Sequence, residues 1–167
     1  MADLLIRTAG AADVQALTDI YNHYIRTSPA TFDIAPVTLE SRLEWLSHYS
    51  QAGPHRLLVA ELDAQVIGYA SSSRLAARAA YATSVETSIY LRPEACGQGL
   101  GRRLYAALFA SLAGEDVHRA FAQVTLPNPA SIALHQQFGF RAIGIQDEVG
   151  HKFGRFWSVQ LLQKNLT

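Results

Sequence analysis

The chain has 167 residues, 49% of them apolar, which suits one compact domain with a single core. Fourteen basic and fourteen acidic residues cancel, and neither sign forms a run, which argues against a nucleic acid or an anionic membrane as partner. A lone cysteine, Cys96, excludes an internal disulfide framework and a thiolate metal site; with no signal-like or spanning apolar stretch, the reading is a cytoplasmic protein that needs no metal.

In chain order, Leu4 to Arg7 reads as a first strand closed by Thr8, Ala9 and Gly10. Asp13 is placed to cap a helix in which Val14, Leu17, Ile20, Tyr21, Tyr24 and Ile25 recur at helical spacing, ending before Ser28-Pro29. Thr38 caps a second helix carrying Leu39, Leu43, Leu46 and Tyr49, expected to run to Gly53-Pro54. Leu57 to Leu62 and Gln65 to Ser73 read as strands joined by a tight turn at Asp63-Ala64. Ser84 to Leu91 alternates, with Val85, Thr87, Ile89 and Leu91 on one face and Glu86, Ser88 and Tyr90 on the other.

Next comes Cys96-Gly97-Gln98-Gly99-Leu100-Gly101, then a helix with Leu100, Leu104, Leu108 and Leu112 as a stripe. Phe121 to Leu126 makes a strand and Pro129 to Phe138 a helix, and Arg141 to Ile145 and Phe153 to Leu162 make two closing strands. The order is βααβββαβαββ, with no repeat or linker that divides residues 1–167.

A strand, a glycine-rich turn and a helix together make an anion site, because unpaired N–H groups of the first helical turn converge on one point. Glycine at 97, 99 and 101 permits positive φ and removes side chains that would hold a phosphate off, while Arg102 and Arg103 add charge. A dinucleotide fingerprint or a P-loop would need a different spacing. Glu86, on the polar face of the strand leading into this turn, is a candidate general base.

Tyr90 through Pro93 to Gly97-Gln98-Gly99-Leu100-Gly101, followed by Asn128-Pro129-Ala130-Ser131 and Phe138-Gly139-Phe140, resembles the GNAT N-acetyltransferase superfamily. Tyr21 to Ile25, Thr31-Phe32, Arg78 to Tyr81, Ser84-Val85-Glu86, Leu126-Pro127-Asn128 and Lys152 to Arg155 are similar to phosphinothricin and methionine sulfoximine acetyltransferases. The matches run over residues 20–160. The resemblance implies an α+β fold, a mixed and mostly antiparallel sheet flanked by helices, acting as a homodimer on a small amine.

It implies that Gly97, Gln98, Gly99, Gly101 and Arg102 wrap the pyrophosphate of acetyl-CoA. Ile89 and Leu91 would pair their backbone with the pantetheine arm, and Asn128 would touch the same arm. Glu86 would take the proton of an amino-acid-like acceptor, and the backbone near Thr87 to Ile89 would stabilise the thioester oxygen. His135 occupies the place where many members carry a tyrosine that protonates the leaving thiolate. Arg78 would bind the acceptor carboxylate, with Phe32, Tyr81 and Arg155 walling the pocket. The chain departs from the pattern at Leu75-Ala76, where phosphinothricin enzymes commonly have Trp-Lys, at Cys96 and at Ser158. Open alternatives are an acetyltransferase of another amine or of a protein N-terminus, and a non-catalytic acyl-coenzyme A sensor.

Overall fold

The computed structural model describes residues 4–167. Strand β1 (Leu4–Thr8) hands over through a short 3-10 turn to α1 (Val14–Thr27). Asp13 stands at the N-cap of α1 without capping it. Its carboxylate accepts from the Gly10 N–H at 2.8 Å and from both Arg7 Nη atoms at 2.8 Å. A bidentate guanidinium is a stronger partner than one helix N–H, so the expected cap gives way to an ion pair. Thr38 does cap α2 (Leu39–Leu46), its hydroxyl accepting from the Ser41 N–H at 3.1 Å. This helix is shorter than expected. Beyond Leu46, Tyr49 N–H bonds the Leu46 carbonyl in a tight turn, and Ser47 Oγ donates to the Glu44 carbonyl at 2.6 Å, competing with the helical ladder.

Seven strands form one sheet in the order β1-β2-β3-β4-β5-β7-β6. They are β1, β2 (Arg56–Leu62), β3 (Gln65–Arg74), β4 (Ser84–Leu91), β5 (Arg119–Thr125), β6 (Arg141–Lys152) and β7 (Arg155–Asn165). All neighbours are antiparallel except β4 and β5. Asp63 and Ala64 both take positive φ in the two-residue β2–β3 turn, as Phe153 and Gly154 do between β6 and β7. The last two strands run longer than the sequence pattern suggested, and Phe153 belongs to the turn.

One sheet face packs on α1 and α2 through Leu17, Ile20, Leu57, Val59 and Tyr69. The other packs on α3 (Leu100–Ser111) through Leu58, Ala70, Leu104 and Leu108, with α4 (Pro129–Gln137) alongside. Burying a leucine such as Leu104, fully inaccessible, stabilises the fold by about 1.5–3 kcal/mol. The element order and the mixed, mostly antiparallel sheet flanked by helices agree with the sequence reading. Among the described residues no helix is long and apolar enough to cross a membrane, and no group of His, Cys, Asp or Glu is placed to hold a metal ion.

Candidate active site

The glycine turn ends β4 and starts α3. Gly97 (φ 76°) and Gly99 (φ 75°) are left-handed, a conformation that favours glycine, and Gly99 is the N-cap of α3. A Cβ built on either would meet nothing within 4 Å, so the turn leaves an open cradle. The Arg103 N–H closes the first helical turn on the Gly99 carbonyl at 3.2 Å, which leaves the Leu100, Gly101 and Arg102 N–H groups without an intrahelical partner. This donor set with the Arg102 side chain fits a pyrophosphate. Gly101 differs from expectation, because it lies inside the helix with no positive φ. A Cβ there would touch Leu134, Leu91 and Ile89 at 3.5–3.7 Å, so its value is room rather than backbone freedom. Gln98 turns its side chain back to the Glu94 carbonyl at 2.8 Å and offers only backbone to a ligand.

The parallel strands β4 and β5 pair only over Ser84–Glu86 and Arg119–Phe121. Past this point no ladder joins them, and a cleft of about 690 Å³ extends from Glu86 to the glycine turn. Ile89, Leu91, Gly97, Gly99, Gly101 and Arg102 line it, as do Asn128 and His135 from the α4 side. Unpaired backbone on a splayed strand is suited to an extended, amide-bearing chain. Asn128 also caps α4, its Oδ1 accepting from the Ser131 N–H at 3.1 Å. The Leu91 carbonyl already accepts from Tyr24 Oη at 2.5 Å, so that group is not free for an added chain to bond alone.

Glu86 is half-buried at the other end of the cleft. Its carboxylate has no hydrogen-bonding or ion-pair partner among the described residues, and burial pushes its pKa up from the usual carboxylate range. A carboxylate held without a counter-charge and made more basic by its surroundings is equipped to accept a proton.

His135 is buried, and both ring nitrogens are engaged. Nδ1 lies 2.7 Å from the Ser131 carbonyl, which can only accept, so the proton sits on Nδ1. Nε2 then accepts from the Tyr105 hydroxyl at 3.0 Å. Burial lowers the imidazole pKa, which keeps it neutral near pH 7. In this state Nε2 carries no proton and accepts from Tyr105, whereas the acid role expected from the sequence needs a proton on that nitrogen. Tyr105, from α3, also reaches Thr87 Oγ1 at 3.3 Å, so the three side chains tie α4, α3 and β4 together at the cleft floor.

The four acceptor candidates do not line this cleft. Arg78 and Tyr81 are exposed on the β3–β4 connection that leads to Glu86. Phe32 is partly exposed on the α1–α2 loop, and Arg155 is exposed at the start of β7 with its guanidinium 4.1 Å from the Trp157 ring centroid. Residues that sequence reasoning missed include Tyr24, Ala30, Tyr105 and Gln123, all on the cleft wall. Tyr24 was read as a core position of its helix and as part of the family resemblance, Tyr105 lay outside the apolar stripe read for its helix, and nothing local marked the contact between Tyr105 and His135, thirty positions apart.

The model of the acetyltransferase (GNAT) family matches residues 17–140. A phosphinothricin N-acetyltransferase of Streptomyces coelicolor is 49% identical over 99% of this chain and 98% of its own length. An L-methionine sulfoximine/L-methionine sulfone acetyltransferase of Pseudomonas paraeruginosa is 34% identical over 96% of this chain and 94% of its own. The solved structure of a GNAT superfamily phosphinothricin acetyltransferase from Sinorhizobium meliloti, in complex with acetyl-CoA, superposes with a TM-score of 0.89. It is 33% identical, over 97% of this chain and 88% of that one. With its splayed parallel strands, its glycine cradle and these relatives, the chain belongs to the GNAT family of acetyltransferases.

Proposed function

We propose that this chain transfers an acetyl group from acetyl-CoA to the amino group of a small amino-acid-like acceptor of the phosphinothricin or methionine sulfoximine type. The observation that carries the reading is one cleft that joins an anion cradle at Gly97–Arg102 to a half-buried carboxylate at Glu86 that has no partner among the described residues. The relatives named for phosphinothricin and methionine sulfoximine support the acceptor class.

Acetyl-CoA supplies a thioester carbon open to attack. The Leu100, Gly101 and Arg102 N–H groups with the Arg102 side chain hold its pyrophosphate, and Ile89, Leu91 and Asn128 guide its pantetheine arm. Gly97 and Gly99 keep side chains out of the way, and Gln98 contributes backbone only. As the amine nitrogen bonds to the carbonyl carbon and the carbon–sulfur bond breaks, Glu86 takes the amine proton, directly or through water. N–H groups near Thr87 to Ile89 stabilise the charge that builds on the oxygen. Positioning supplies much of the acceleration. His135 enters as the neutral acceptor that holds the Tyr105 hydroxyl at the cleft floor. Arg78, on the connection that leads to Glu86, is assigned to the acceptor carboxylate and Phe32, Tyr81 and Arg155 to the wall around the acceptor, all four lying outside the lining of the cleft itself.

Residues 1–167 act as one domain, in a reducing compartment that suits the exposed Cys96, which we take to be the cytoplasm. The neutral net charge speaks against a nucleic acid partner. Edge strand β6, its turn and the start of β7 expose Ile143, Ile145, Val149, Phe153 and Phe156, an apolar stretch that supports a homodimer covering this edge. The direct test is a panel of amines assayed for coenzyme thiol release, with phosphinothricin and methionine sulfoximine expected among the substrates. Light scattering tests the dimer.

A further inference from the structure

Resting on this acetyl-transfer reading, we propose that Lys152 is a positioning residue for the acceptor, its ammonium fastening the cleft wall around Ala30 to the β6–β7 hairpin. Lys152 ends β6 and is 5% exposed. Its Nζ donates to the Ser28 carbonyl at 2.8 Å and the Thr31 carbonyl at 2.7 Å. No carboxylate forms an ion pair with it among the described residues. Burying an ammonium is unfavourable unless its donors are satisfied, so these two charge-assisted bonds mark a built contact rather than a chance one. Burial pushes the ammonium pKa down, and the negative charge of Asp33 opposes that shift. The Trp157 Nε1–H bonds the Lys152 carbonyl at 2.9 Å and fixes the backbone from which the side chain reaches.

The two carbonyls flank Ala30, which lines the cleft together with Tyr24 and Glu86. The segment 28–37 has no strand partner, so side chains must set its position. Tyr21 Oη donates to Asp33 at 2.7 Å and lies 2.8 Å from Thr31 Oγ1, and Asn22 clamps both backbone groups of Val37 at 2.8 and 3.0 Å. The hairpin comes so close that a Cβ on Gly150 would lie 2.2 Å from the Phe32 ring. Glycine is required there for contact rather than for φ. The hairpin thus grips the loop that carries Ala30 and Phe32 at two points, Lys152 on the backbone around Ala30 and Gly150 under Phe32. The anion cradle at the far end lies on α3 and shares none of these contacts.

The test compares wild type, Lys152→Met and Lys152→Arg in steady-state assays with phosphinothricin and acetyl-CoA, with coenzyme affinity measured by calorimetry. Losing both charge-assisted bonds should raise the acceptor Michaelis constant about tenfold or more and leave acetyl-CoA affinity within about twofold. Lys152→Arg, which keeps a cation and its donors, should recover part of the loss. If Lys152→Met does not fold, Gly150→Ala asks the same question by pressing one methyl against Phe32, with the same split expected. Equal effects on both substrates, or a lower melting temperature with an unmoved acceptor constant, overturn the clasp. A wild-type chain that binds acetyl-CoA but acetylates no amino-acid-type amine overturns the functional reading instead, so the two failures are told apart.

Discussion

Replacing Glu86 with Gln should reduce turnover while leaving the protein at least as stable, because the structure separates the two effects. Among the described residues the carboxylate has no hydrogen-bonding or ion-pair partner, and burial raises its pKa, so an isosteric amide breaks no bond there. A carboxyl group whose pKa is raised on folding binds protons more tightly in the native state. It therefore lowers stability as pH rises through the unfolded and then the folded pKa, and the penalty is complete above the folded value. At neutral pH the Gln variant escapes that penalty and should melt at the same temperature or higher; below the ordinary carboxylate range the two proteins should coincide. Turnover should move the other way, falling by about 10²-fold or more as proton acceptance is lost. The wild-type rate should climb with pH as Glu86 ionises, along a limb displaced upward from the usual carboxylate range, and the Gln variant should lack that limb. Stopped assays of thiol release across pH, with calorimetry at each point, measure both. Unchanged turnover and an unchanged acid limb for every amine would show that Glu86 is not the base, and deprotonation would belong to water or another group.

Gly99→Val should abolish acetyl-CoA binding in a folded protein, since a branched residue is strained at φ 75° and projects into the open cradle; unchanged affinity by calorimetry would place the coenzyme elsewhere. Arg78→Ala should raise the Michaelis constant of carboxylate-bearing acceptors far more than that of acetyl-CoA, and equal effects would remove Arg78 from the acceptor site. Leu104→Ala, at a fully buried position between α3 and the sheet, should destabilise the fold by about 2–5 kcal/mol in chemical denaturation; a loss under about 1 kcal/mol would show that the core there is loosely packed.

Much of this architecture was legible because local signals were unopposed. Leu100, Leu104 and Leu108 follow helical spacing, and all are buried on one face of α3. Gly97 and Gly99 adopt the positive φ that their place between strand and helix suggested. Misreadings arose where a side chain competed with the backbone or a tertiary partner intervened. Asp13 has the right residue type for a cap, but Arg7 takes its carboxylate. Tyr49 extends the apolar spacing of α2, yet it packs from a turn beyond the helix end.

The length of β6 was hidden by two irregularities in its register, one near Glu148, whose positive φ breaks the alternation that marks a strand. The site divides along the same line. Most of its coenzyme half, from Ile89 to Arg102, is contiguous in sequence and could be read locally, and Asn128 joins it from α4. The His135–Tyr105 contact and the Lys152 clasp join residues thirty and more than a hundred positions apart, which no short-range pattern encodes.

Acetyl transfer to an amino-acid-type nitrogen can be followed directly in one experiment. The purified chain is incubated with acetyl-CoA and phosphinothricin, and the amine product is resolved by mass while free coenzyme thiol is counted. One acetyl group is expected on the acceptor nitrogen for each thiol released. Tight binding of acetyl-CoA with no acetylated product from phosphinothricin, methionine sulfoximine or any other amine supplied would contradict it.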